Sequence, residues 1–116
     1  MNRFLHIGFN FMERPITPAE LAPVFNKAID WVRYAPNCWV VYTASEPVIW
    51  YQRLRPAVSD KDTFFICEIV WHKDEIAVPN GISCSGYLPA YVWEWISRYS
   101  AGVVATIPPL LPDSGA

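Results

Sequence analysis

WVRYAPNCWVVYT, residues 31–43, is the stretch on which the fold turns. It reads as two short strands, residues 31–34 and 38–43, folded back on each other through Ala35, Pro36 and Asn37. Proline presets φ for the first central position of a turn, and asparagine tolerates the conformation needed at the next. In the second strand Trp39, Val41 and Thr43 point one way and Cys38, Val40 and Tyr42 the other, because side chains alternate across a strand. A helical pattern precedes this hairpin and another follows it.

Upstream, residues 3–11 form a first strand with Leu5, Ile7, Phe9 and Phe11 on one face and His6, Gly8 and Asn10 on the other. Thr17-Pro18-Ala19-Glu20 is a helix start: Thr17 and Glu20 can exchange hydrogen bonds, and Pro18 stands where its missing N–H costs nothing. Leu21, Val24, Phe25, Ala28, Ile29 and Val32 then recur at helical spacing. Downstream, Ser45 is the expected cap of a second helix with Pro47 in its first turn and Val48, Ile49 and Leu54 buried. Pro56 is expected to hold Arg55 out of the helical region and close that helix. Residues 63–70 are apolar on nearly both faces, which predicts a central strand with Glu68 paired. Residues 76–84 suggest a hairpin around Pro79-Asn80-Gly81. A third helix runs from Leu88-Pro89 to about Tyr99, with Val92, Trp95, Ile96 and Tyr99 as its buried stripe.

The resulting order is strand, helix, strand, strand, helix, strand, plus a C-terminal helix. That is an α+β, ferredoxin-like split βαβ (βαββαβ) domain over residues 1–102, followed by an extended Pro-rich tail, 103–116. Helices on one face of such a sheet leave the other face bare, and the tail adds Val103, Val104, Ile107, Leu110 and Leu111 as apolar surface. Six Trp, six Tyr and six Phe are more large rings than a 116-residue chain readily hides. These features together predict a homodimer, with the open sheet face or the tail at its interface, or else a separate protein partner.

A net charge of -2 excludes a broad electrostatic footprint for nucleic acid. Arg14, Arg33, Arg53 and Arg55 are the one grouping that suggests anion or nucleic-acid contacts, with Tyr34, Trp50 and Tyr51 as stacking neighbours. Cys38 and Cys67 read as buried thiols, and three widely spaced cysteines without a signal peptide point to the cytoplasm. No apolar run is long enough for a membrane span. His6 and Asn10 share a sheet face and are the candidate site there. His72, Asp74 and Glu75 lack a second spaced ligand pair for a metal, and Asp60 and Asp62 suit a capping turn. No glycine-rich phosphate loop and no nucleophile elbow is present, so neither a cofactor nor a catalytic residue is expected.

Phe4–Phe11 (FLHIGFNF), residues 31–43, Leu54 with DKDTFFICE (60–68), and GYLPAYVWEWI (86–96) resemble the small SinR-like proteins, relatives of the CRISPR-associated ferredoxin-like endoribonucleases. That resemblance implies a symmetric dimer and, in the CRISPR branch, a metal-dependent nuclease whose acid ends the first strand in a hydrophobic-Asp-hydrophobic triplet. The matching triplet here is Phe9-Asn10-Phe11. Neutral asparagine is a poor substitute for a carboxylate around a hard divalent cation. The expected function is therefore a non-enzymatic dimeric interaction module. The alternatives are a metal-dependent nuclease served by Asp60, Asp62 or Glu68, and a non-catalytic nucleic-acid-binding protein.

Overall fold

In a computed structural model, residues 1–70 and 88–99 are described. The chain divides into two compact units, Met1–Val70 and Trp71–Ala116. The first contains β1 (Arg3–Asn10), α1 (Pro18–Phe25), β2 (Asp30–Ala35), β3 (Cys38–Thr43), α2 (Pro47–Leu54), a 3₁₀ turn (Arg55–Ala57) and β4 (Thr63–Ile69). The second contains α3 (Ala90–Tyr99). The boundary expected at 102/103, the hairpin expected at 76–84 and the tail lie outside the described residues.

The fold is α+β. Among the described residues four antiparallel strands lie in the order β2-β3-β1-β4. The residues of one sheet face, Leu5, Ile7, Phe9, Trp39 and Val41, form a core with Leu21 and Phe25 of α1 and Trp50 and Leu54 of α2. Stacked rings sit at its centre: Phe25 lies 4.8 Å from Trp39 and nearly parallel to it. The buried Trp50 indole N–H donates to Thr43 Oγ1 at 3.2 Å, so its one polar atom is satisfied inside the core.

The hairpin forms where the sequence places it, with Pro36 and Asn37 as the turn. Pro36 holds φ near −65°, which the primed turns favoured in two-residue hairpins do not use. The register slips between Arg33 and Ala35, leaving Tyr34 as the extra residue of a β-bulge.

α1 starts on the expected capping box: Thr17 Oγ1 accepts from the Glu20 N–H at 3.2 Å, and Glu20 Oε2 accepts from the Thr17 N–H at 2.7 Å. It ends at Phe25, however, rather than continuing through Val32. The Ile29 N–H donates to the Tyr42 carbonyl, and Val32 pairs with Val40, so sheet pairing takes residues whose spacing also fits a helix. Ile29 is left exposed.

α2 departs from expectation in its cap and in its buried face. Glu46, not Ser45, is the N-cap, and it makes no side-chain capping bond. Trp50 and Leu54 face the core at i and i+4, whereas Val48 and Ile49 are exposed. Arg55 is helical at φ −54°, ψ −45°, because the chain passes directly into the 3₁₀ turn that contains Pro56.

β4 is an edge strand among the described strands, not a central one. Its apolar character on both faces leaves Phe65 68% exposed. Glu68 is paired as expected, with Arg3 at 3.4 Å. In α3, Val92, Trp95 and Ile96 are buried as expected and Trp93 joins them, while Tyr99 is half-buried.

Candidate functional site

The sheet face opposite α1 and α2 carries Phe4, His6, Gly8 and Asn10 of β1. They are flanked by Tyr42, Val40 and Cys38 of β3 on one side and Ile69, Cys67, Phe65 and Thr63 of β4 on the other. This face is not bare at its centre: Phe4, Val32 and Val40 are all buried. Its polar and reactive groups lie toward the Asn10 end.

His6 Nε2 and the Tyr34 hydroxyl are 2.5 Å apart, with ring centroids at 5.6 Å. The contact spans β3, which lies between the two strands that carry it. Partial burial lowers the His6 pKa below its ordinary value, so the imidazole is neutral near pH 7. Burial first, and the neighbouring Cys38 and Cys67 second, raise that of Tyr34 to about 12. The phenol therefore keeps its proton, and the contact with His6 Nε2 joins two neutral groups. The bulge re-aims Tyr34, and the imidazole packs over Gly8, where a Cβ would make an ordinary 3.4 Å contact with His6 Cε1. Cys38 and Cys67 are free thiols and half-buried, not fully buried as expected. A hollow of about 330 Å³ opens beside Cys38, with His6, Gly8, Asn10, Cys38, Thr63 and Phe65 in its wall.

Asn10 stands on the same face at the exposed end of β1, and its amide donates to Met12 Sδ at 3.2 Å. The structure thus brings His6 and Asn10 to one hollow. The sequence reading missed Tyr34 and Cys38 as their companions. No local signal marks the pairing of Tyr34 with His6, which joins residues 28 apart in sequence.

The four arginines are each held locally. Arg14 pairs with Glu20 at 2.7 Å, and Arg55 with Asp60 at 3.1 Å. Arg33 Nε donates to the Pro36 carbonyl, and its guanidinium lies 5.7 Å from the Trp39 ring centroid. The Arg53 guanidinium lies 5.0 Å from that of Trp50.

The acids are also separated. Asp62 accepts from the backbone N–H groups of Met12 at 2.7 Å and Ser59 at 2.9 Å, which hold its pKa below the ordinary carboxylate value. Asp60 meets Arg55 and Glu68 meets Arg3. Among the described residues no three His, Cys, Asp or Glu side chains converge on a point that could hold a metal ion.

A second surface feature lies at the β4 edge. Val48 and Tyr51 of α2 and Phe65 of β4 are 54%, 51% and 68% exposed, and with Pro47, Phe64 and Ile66 they border a hollow of about 360 Å³. The Tyr51 and Phe64 ring centroids are 5.4 Å apart. Val103, Val104, Ile107, Leu110 and Leu111, the expected interface residues of the tail, lie outside the described residues. So do His72, Asp74 and Glu75. Among the described residues no helix is long and apolar enough to cross a membrane. No family model matches the chain, and no curated protein or solved structure matches it.

Proposed function

We propose that this chain is a small, non-enzymatic interaction module that acts as a homodimer, with the β4–α2 edge as its contact surface. The observation that carries the reading is the apolar surface formed by Val48, Tyr51 and Phe65 around β4, an edge strand among the described strands. An edge strand flanked by exposed apolar side chains is a template for pairing with another chain. A two-fold interface uses one patch twice, and a specific dimer buries about 800 Å² per partner, an area that an edge strand and one helix flank can provide.

The finer architecture is read as the ferredoxin-like split βαβ. Supporting this, the sheet order taken from its other edge is β4-β1-β3-β2, and α1 and α2 contribute to one core against one sheet face. The fold hosts many functions and carries no activity by itself. Under the resemblance to SinR-like proteins, Asn10 occupies the position of the nuclease acid. Asp60, Asp62 and Glu68 are each tied to separate partners, which favours binding over metal-assisted cleavage. The free thiols Cys38 and Cys67 suit a reducing compartment, the cytoplasm.

The test is the solution mass by light scattering. Twice the 13.3 kDa chain mass is expected for the wild type, and a shift to the single-chain mass for the double variant Val48→Glu, Tyr51→Glu. A wild-type monomer, or a double variant that remains dimeric, overturns the reading.

A further inference from the structure

We infer that β4 pairs with β4 of a second copy, antiparallel and in the register that sets Ile66 opposite Ile66, so that the two sheets join into one. The inference rests on the dimer reading above. It adds to that reading the backbone contact and its register.

A sheet edge exposes a row of backbone N–H and C=O groups, and folded proteins blunt it with charges, proline or a bulge. The two edges of the described sheet differ in this respect. β2 carries Asp30 and the exposed Arg33, and its register slips beside Tyr34. β4, TFFICEI, has no proline or lysine and pairs with β1 in an unbroken register from Ile69 to Thr63. Its single charge, Glu68, is tied to Arg3. Among the described residues β4 has no strand on its outer side, and its Phe65 is 68% exposed. One edge is blunted and the other is left open to a partner strand.

Two-fold symmetry restricts how β4 can meet its copy. Residues directly opposite in an antiparallel pair point to the same face, and faces alternate along each strand. The axis must therefore pass through a residue, not between two. Centred on Ile66, all 7 residues of the strand pair: Phe65 meets the partner's Cys67, Thr63 meets the partner's Ile69, and Phe64 meets the partner's Glu68, which keeps its own Arg3. Centred on Phe65 or Phe64, Glu68 stands opposite Asp62 or Asp60, and centred on Glu68 the carboxylate meets itself. Like charges directly opposite are unfavourable. Centred on Cys67, Thr63 and Phe64 fall beyond the end of the partner strand.

The pairing also places side chains. Both copies of α2 lie on the same side of the joined sheet, with Val48 and Tyr51 of each turned toward the axis over Phe64 and Ile66. On the other side, Thr63 and Phe65 line the hollow beside Cys38, and the partner's Ile69 and the partner's Cys67 stand next to them. The second copy thereby adds a wall to that hollow.

The experiment measures amide hydrogen exchange of the full chain by NMR, in the wild type and in the Val48→Glu, Tyr51→Glu variant as its monomeric form, with light scattering on the same samples. In a lone edge strand every second amide points away from the sheet and exchanges freely. In the dimer those outward amides of β4 are expected to slow about tenfold or more, the scale of an added hydrogen bond, so that protection runs unbroken from Thr63 to Ile69. A second measurement reads the register. Ile66→Cys and, separately, Thr63→Cys are made in a chain carrying Cys38→Ser, Cys67→Ser and Cys84→Ser, checked for folding by thermal melting, and mildly oxidised. Ile66→Cys is expected to give a disulfide-linked dimer, because that position faces its own copy. Thr63→Cys is expected to give none, because the two sites lie about 20 Å apart in this register. A wild type of dimer mass whose outward β4 amides still exchange fast overturns the inference and leaves the dimer reading standing. Crosslinking of Thr63→Cys in place of Ile66→Cys overturns the register. A wild type of single-chain mass overturns both.

Discussion

Thr17 illustrates how much a single residue decides. Its hydroxyl and the Glu20 carboxylate satisfy N–H groups that the first turn of α1 leaves without helical partners. Thr17→Ala is expected to cost roughly 0.5–2 kcal/mol in chemical unfolding. Glu20 adds a pH signature. Its bond to Arg14 first, and to Thr17 second, lowers its pKa to about 2. The unfolded chain then binds more protons than the folded one between the ordinary glutamate value and about 2. The stabilisation is present above that window and lost as pH falls through it. His6 acts in the same direction from a different cause. Burial lowers its pKa, so the unfolded chain takes up a proton first, and stability falls as pH drops below about 6.5. A denaturation midpoint followed from pH 8 to pH 5 is expected to decline in the wild type and to flatten in His6→Gln.

At the level of elements, α2 is held by its tryptophan. Trp50 is fully buried, lies beside Phe25 and bonds Thr43, while the rest of the helix offers the core only Leu54. Trp50→Ala is expected to cost about 3–5 kcal/mol, at the upper end of core truncations, and to be visible in a denaturant midpoint with unchanged slope. The entry to β4 depends on one carboxylate. Asp62 joins the segment after β1 to the turn before β4 through the Met12 and Ser59 N–H groups. Asp62→Ala is expected to lower the melting temperature and to raise amide exchange at Met12 and Ser59 above that of the strand interiors. For Asp62, the bond from the Ser59 N–H is the local capping contact that a turn aspartate suits. Its bond to Met12, fifty residues away in sequence, is long-range and leaves no local trace.

For the whole molecule, the decisive quantity is which apolar surface stays wet. The expected dimer interface is the open sheet face or the tail; on the sheet face Phe4, Val32 and Val40 are buried, and the tail lies outside the described residues. The β4–α2 edge, with Val48, Tyr51 and Phe65, keeps its apolar side chains in solvent. A hydrophobic reporter dye is therefore expected to bind the Val48→Glu, Tyr51→Glu double variant less than a monomeric control that retains both side chains, such as wild type diluted below its dissociation constant. Equal binding would place the accessible apolar surface elsewhere.

Much of the local architecture was legible in residue order alone. A proline-asparagine turn between β-rich runs, a Thr-Pro-x-Glu helix start and a proline ahead of a tryptophan stripe each act within a few residues. They place the hairpin, the start of α1 and α3, and the shared face of His6 and Asn10. Tertiary structure decided what depends on competition between distant partners. It stopped α1 at Phe25 because Tyr42 claimed the Ile29 N–H, and it put an apolar strand at the edge because only β1 pairs with β4 among the described residues. It also brought Tyr34 to His6 across an intervening strand. Period and propensity specify which way a side chain points along its own element. The neighbour it meets is set by strand order and register, which emerge only when all four strands compete for the same hydrogen bonds and the same core.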